Sequence, residues 1–206
     1  MVSYDPDDEQ LAWMETPANE LWALDKLILA RTLGYECGPI GLEVPRPGWY
    51  IVRPCVNLLG GGMGAQKLWL EDNTSNLPLG HFWCEFFEGN HYSVDYELGI
   101  PVLTVEGFKH DATMISWDKW VKIEKDIALP PELSMLRNKQ SLNVEYIGDK
   151  PIEIHYRNNP NFNYNNKEFL PVWEGQDTTP PPGYSYIETK AFDEQDSLGR
   201  IGAFIK

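Results

Sequence analysis

Residues 143–155 can pair with themselves in one sensible way, and that pairing constrains the chain more than any other feature. Asn143-Val144-Glu145-Tyr146-Ile147 and Pro151-Ile152-Glu153-Ile154-His155 flank Gly148-Asp149-Lys150, a turn between two strand-like runs. A three-residue turn sets Ile147 opposite Pro151, Tyr146 opposite Ile152 and Val144 opposite Ile154, which makes one face apolar. Side chains alternate with period two, so the other face sets Glu145 against Glu153 and Asn143 against His155. Like charges directly opposite each other are destabilising, by about 1 kcal/mol or less at a surface. Two readings are open. The acids face water on a solvated hairpin, or they share a divalent cation, as Mg²⁺ is often held by one or two carboxylates together with substrate phosphates.

The rest of the chain supplies short strands with little helix. Leu21, Leu24, Leu27 and Ile28 recur at three- and four-residue spacing, which predicts a helix over 17–33 carrying Asp25 and Lys26, with Gly34 as its C-terminal cap. Trp49 to Arg53 reads as a strand stopped by Pro54, and Lys67 to Leu70 as a second. The run His81 to Phe87 turns at Glu88-Gly89-Asn90 into His91 to Tyr96, an expected hairpin. Ile100 to Val105 is a further strand, and 117–139 reads as mixed, with helix broken at Pro130-Pro131. From Asn158 onward the Asn, Pro and Gly content predicts an irregular wrap, with Arg200 to Ile205 returning as a last strand. Hairpin-linked strands with a few helices define an α+β class.

At 206 residues the chain is one domain or two small lobes, long enough to bury a proper core. A formal net charge of -14 argues against a nucleic-acid surface, which needs a basic footprint, but it does not forbid an anionic ligand held by a few local cations and backbone N–H groups. Cys37, Cys55 and Cys84 are odd in number and have no metal-type spacing, so they read as reduced, mostly buried thiols. The acidic N-terminus is not a secretory signal, and no apolar run reaches the roughly 18 residues of a membrane span. A soluble, cytoplasmic protein is the expectation.

Three other features bear on chemistry. Gly60-Gly61-Gly62-Met63-Gly64 follows a strand and lets backbone N–H groups approach a polyphosphate, or is simply a mobile surface loop. Arg53, just before it, can neutralise phosphate or pair with a surface acid. In Cys84-Glu85-Phe86-Phe87-Glu88-Gly89 two adjacent phenylalanines suggest a strand covered on both faces, or one against which a flat ring packs. His81, His91, His110 and His155 show no zinc-hydrolase spacing, and no serine sits in a nucleophile elbow.

Taken in order, these segments resemble the ATP-grasp superfamily. Ala23-Leu24-Asp25-Lys26-Leu27 through Gly34-Tyr35-Glu36 is similar to the helix that opens its first lobe. Tyr50-Ile51-Val52-Arg53-Pro54 with Leu59 to Gly64 is similar to its strand and phosphate loop. Cys84 to Asp95 is similar to its hinge signature, and Asn143-Val144-Glu145 with Pro151 to Arg157 to its metal motif.

The resemblance implies two small α+β lobes with antiparallel sheets around a nucleotide cleft: lobe one about 20–83, and lobe two about 84–160 with a wrap over 161–206. It implies Glu85, Phe86 and Phe87 at the adenine, His91 at the ribose, and Lys26, Arg53, Gly60, Gly61, Gly62 and Gly64 at the phosphates of ATP. Glu145, Glu153 and His155 would hold Mg²⁺, and Arg157 would steady a phosphate or acyl phosphate. The implied activity is an ATP-dependent ligase joining a carboxylate to an amine or thiol. Its acceptor would be a small molecule or a peptide presented by a partner protein.

Three residues depart from the family pattern. Arg53 stands in place of lysine, His91 in place of an acid, and His155 in place of asparagine. Little chain precedes the Asp25-Lys26 helix, so the expectation is a compact form without the separate N-terminal domain. The alternative is a non-catalytic binding module derived from the same fold.

Overall fold

A computed structural model describes residues 8–56, 62, 64–109, 117–162, 165–188 and 199–206. Every strand pairing among them is antiparallel, and the strands form two sheets. The class is α+β. The first sheet contains β1 (Cys37–Pro39), β2 (Gly48–Pro54), β3 (Gln66–Leu70) and β4 (His81–Glu85) in the order β1-β4-β2-β3. The second contains β5 (His91–Glu97), β6 (Ile100–Phe108), β7 (Lys119–Lys122), β8 (Leu142–Ile147), β9 (Lys150–His155), β10 (Glu168–Trp173), β11 (Ser185–Ile187) and β12 (Arg200–Ile205). Its order is β11-β12-β10-β7-β6-β5-β8-β9.

The apolar face of the second sheet is built by alternation. Tyr92, Val94 and Tyr96 of β5, Leu142, Val144 and Tyr146 of β8 and Ile154 of β9 are buried together with Leu133 and Leu136 of a 3-10 turn (Pro131–Leu136). Burying each such side chain contributes about 1.5–3 kcal/mol. Inside this layer the Tyr96 hydroxyl donates to Ile127 O at 2.9 Å and lies 2.7 Å from the Tyr146 hydroxyl, which satisfies both phenols.

Among the described residues there are two α-helices, α1 (Asp8–Glu15) and α2 (Lys26–Thr32). The helix expected over 17–33 is divided, because Asp25 leaves helical geometry and caps α2, accepting from the N–H groups of Leu27 and Ile28 at 2.9 and 3.0 Å. A short 3-10 turn, Leu21–Ala23, precedes it. At the other end Gly34 has φ +76° and donates to Arg31 O, while Tyr35 N–H reaches Ala30 O, the paired bonds of a Schellman cap. α2 is wedged between the sheets, giving Leu29 to the core of the second and Leu27 and Ala30 to a cluster with Phe82 and Cys84 of the first.

Several expectations are corrected. β4 and β5 do not form a hairpin: they lie in different sheets, and residues 86–90 cross between them. The segment 117–139 holds β7 and the 3-10 turn rather than α-helix, since Trp120 and Val121 alternate as a strand against β6. The tail is no mere wrap, as β10 and β11 join the expected last strand, β12, in the second sheet. Gly60 and Gly61 lie outside the described residues.

Candidate functional site

The 143–155 hairpin forms with Glu145 opposite Glu153, Val144 opposite Ile154 and Asn143 opposite His155. Its turn end differs from expectation. Gly148 adopts φ +62° and, with Asp149, makes a two-residue turn, so Ile147 faces Lys150 and Tyr146 faces Pro151. Ile152 is then left over as a bulge, and the register shifts between Glu145 and Tyr146. The Ile152 carbonyl accepts a hydrogen bond from Arg53 Nη2 at 2.8 Å. An arginine of the first sheet thus reaches the edge strand of the second at its irregular point.

Each of the opposed carboxylates has its own cation or donor. Lys26 Nζ lies 3.0 Å from Glu153 Oε2, with the two side chains only 9% and 14% exposed. Lys26 also ties the sheets through its backbone, as its N–H donates to Cys55 O at 2.7 Å. His91 Nε2 donates to Glu145 Oε2 at 3.0 Å. His155 is buried, its Nε2 at 3.4 Å from Glu153 Oε1. Desolvation opposes charge on Glu145, but the His91 hydrogen bond and the nearby His155 and Lys26 outweigh it and hold its carboxyl well below the ordinary range. Among the described residues no three His, Cys, Asp or Glu side chains converge as a ready metal site. The two carboxylates suit Mg²⁺ only if phosphate oxygens complete its shell, and the imidazole of His155 suits it less than oxygen does.

Behind the carboxylates the same face carries a buried polar network that the sequence did not reveal. Asn143 Nδ2 donates to Ser93 Oγ and to Asp95 Oδ1, both at 2.8 Å. Asp95 also accepts the Asn159 N–H at 2.9 and 3.1 Å, and Asn159 Nδ2 donates to Ser93 Oγ at 3.1 Å. These bonds pin the segment just after Arg157. Burial pushes the Asp95 carboxyl up, opposed by the bonds from Asn143 and Asn159 and by the charges of Arg157 and His155. Alternation of Ser93, Asp95 and His91 along one strand was the available signal, but only the pairing of β5 with β8 brings them to Asn143 and Glu145.

Towards β6 and β7 the polar face becomes aromatic. The His91 ring packs edge-on against Trp117 and Trp120, with centroids 4.5 and 5.4 Å away, and Lys109 Nζ sits 4.4 Å above Trp117. Gly107, opposite both His91 and Trp120, makes room for this, because a Cβ there would lie 2.8 Å from Trp117 Cε3.

The other anticipated residues are dispersed. Glu85 Oε1 accepts from the Glu36 N–H at 3.0 Å, Lys67 Nζ covers the Phe86 ring at 3.9 Å, and Phe87 packs edge-on to Tyr35 at 4.7 Å. Gly62 and Gly64 both have φ +79°. Arg157 Nη1 donates to Asn158 O at 3.4 Å. Arg53 Nε is buried with no hydrogen-bond partner among the described residues, a donor available to an anion. A surface depression of about 330 Å³ lies elsewhere, lined by Thr16, Lys139 and Tyr156 among others.

No family model and no curated protein matches the sequence. Solved structures similar to the chain include a putative ATP-grasp superfamily protein from Archaeoglobus fulgidus, at 20% identity and TM-score 0.40, over 66% of this chain and 46% of that one. They also include the ATP-grasp ligase PsnB complexed with a minimal precursor (12%, TM-score 0.37, 68% and 52%) and an L-amino acid ligase from Bacillus licheniformis (12%, TM-score 0.40, 66% and 40%). The match thus spans about half or less of those proteins' length. No helix among the described residues is long and apolar enough to cross a membrane.

Proposed function

We propose that this chain binds Mg-ATP and acts as an ATP-dependent ligase that joins a carboxylate to an amine or thiol through an acyl phosphate. The observation that carries the reading is the convergence of Lys26 and Arg53 with the opposed Glu145 and Glu153 where the two sheets meet, together with an Arg53 Nε that has no hydrogen-bond partner among the described residues. Lys26 and Arg53, with Gly60, Gly61, Gly62 and Gly64, would bind the phosphates. Glu85, Phe86 and Phe87 would take the base and His91 the ribose. Glu145 and Glu153, with His155 beside them, would hold Mg²⁺, which supplies neutralisation of phosphoryl charge when bound. Arg157, just before the segment pinned by Asp95, would orient the acyl phosphate. The acceptor would be a small molecule or a peptide presented by a partner, and the cytoplasm its setting.

A second reading has its own support. Glu153 and Glu145 are already served by Lys26 and His91, so the pair is stable without a metal, as a non-catalytic binding module would require.

The test is thermal unfolding with and without ATP and MgCl₂. Nucleotide at a hundredfold excess over its dissociation constant stabilises the fold by about 2.7 kcal/mol. For a chain of this size that is a rise in Tm of roughly 5–10 °C. No rise at millimolar nucleotide would end the proposal. A rise abolished in Arg53→Ala, with ADP released only when carboxylate and amine are both supplied, decides for the ligase, and binding without turnover decides for the module.

A further inference from the structure

β1 and β4 place two of the three cysteines directly opposite each other. Cys37 and Cys84 are partners in the antiparallel register, and direct partners share a face. Which kind of pair they form follows from the bonds around them. The neighbouring pair, Glu36 and Glu85, is joined by a backbone bond from Glu85 N–H to Glu36 O at 2.8 Å. Bonded and non-bonded pairs alternate along an antiparallel ladder, so Cys37 and Cys84 form a non-hydrogen-bonded pair. The other side of β4 agrees. Cys55 N–H donates to Gly80 O at 2.9 Å, and counting along β2 and β4 from that bonded pair makes Ile51 with Cys84 another. The backbone groups of Cys84 therefore point to β2, away from Cys37.

A non-hydrogen-bonded pair brings Cα atoms to about 4.5 Å and side chains closer than its neighbours. That lies within the span of roughly 4.4–6.8 Å over which a disulfide closes. Both thiols sit in one cluster under Ala30 of α2, with Cys84 fully buried and Cys37 partly exposed, and neither is in a disulfide. Cys55 lies in the same cluster but pairs in register with Gly80.

We propose that Cys37 and Cys84 are a cross-strand dithiol that hydrogen peroxide closes to a disulfide, with Cys55 left as a thiol. The partly exposed Cys37 reacts first. Its thiolate sulfur attacks a peroxide oxygen, the O–O bond breaks, and the departing hydroxide takes a proton to become water. The sulfenic acid so formed is attacked by the Cys84 sulfur, the S–O bond breaks and a second water leaves. Two thiols are oxidised and one peroxide is reduced to two waters. Burial pushes both thiols up, Cys84 to about 12, and Arg31 counters it at Cys37, so the closure is slow at neutral pH and faster in mild alkali. The product joins β1 to β4 one residue before Glu85, where the chain leaves the first sheet.

The test does not depend on nucleotide binding. Reduced protein is exposed to hydrogen peroxide at pH about 8, unfolded, alkylated with iodoacetamide and mapped by mass spectrometry. The expected result is one alkylated thiol, Cys55, and a peptide pair joined through Cys37 and Cys84 that separates with dithiothreitol. Cys55→Ala retains that link and Cys37→Ser abolishes it; should Cys37→Ser not fold, the wild-type map alone decides. Three alkylated cysteines, a sulfinic acid on Cys37 without a link, or a link through Cys55 would overturn the proposal.

Discussion

Lys26 Nζ and Glu153 Oε2 stand 3.0 Å apart between α2 and the edge strand β9, and nearly all of both side chains is withdrawn from water. Removing one partner of such a pair strands the other's charge, at a cost of about 3–5 kcal/mol, whereas replacing both with apolar groups is often close to neutral. Lys26→Met is therefore expected to lose several kcal/mol in urea unfolding, and Lys26→Met with Glu153→Met to regain most of it. Additive losses in the double variant would show that the two do not act as a pair.

Gly107 supports the aromatic side of the site. A methyl group there would meet Trp117 Cε3 at 2.8 Å, Trp117 Cζ3 at 2.9 Å and Trp120 Cη2 at 3.0 Å. Gly107→Ala is expected to cost about 1–3 kcal/mol as the indoles shift. The imidazole signals of His91, packed against both rings, move with them in NMR spectra. An unchanged fold stability and unchanged His91 signals would contradict this packing.

Asp95 gives a pH dependence of definite sign. Its folded-state pKa lies above the unfolded value, chiefly because of burial. Between the two values the native state holds a proton that the unfolded chain has released. Its contribution to stability therefore falls as pH rises through that window and is flat above the folded pKa. A carboxyl ¹³C titration should place Asp95 above the ordinary aspartate range of about 3.9. A midpoint below that range would refute the assignment, and Asp95→Asn should remove this component of the pH slope.

The sequence was most legible where the information is local. Alternation puts Glu145 and Glu153 on one face, and Gly34 reads as a cap because a left-handed residue there suits glycine. It was least legible where one residue changes role with its surroundings. Asp25 reads as part of a helical run, yet its side chain is better used on the N–H groups of Leu27 and Ile28. Glu88-Gly89-Asn90 has turn composition, and turn composition does not say whether the strands it joins will pair. Here they enter different sheets, with Gly148 N–H bonding to Asn90 O at 2.8 Å.

By itself the sequence determined the α+β class and the two strands that carry the acids on one face, because period-two alternation acts over a few residues. Their direct opposition depends on the Ile152 bulge, which offsets a turn one residue shorter than the sequence predicts. The tertiary structure decided what those acids meet. Lys26 reaches Glu153 from a helix, His91 reaches Glu145 from a neighbouring strand, and Arg53 reaches the Ile152 bulge from another sheet. No local pattern encodes such encounters. They arise when burial of the two sheets around α2 brings distant charges into one low-dielectric region, where each must find a partner.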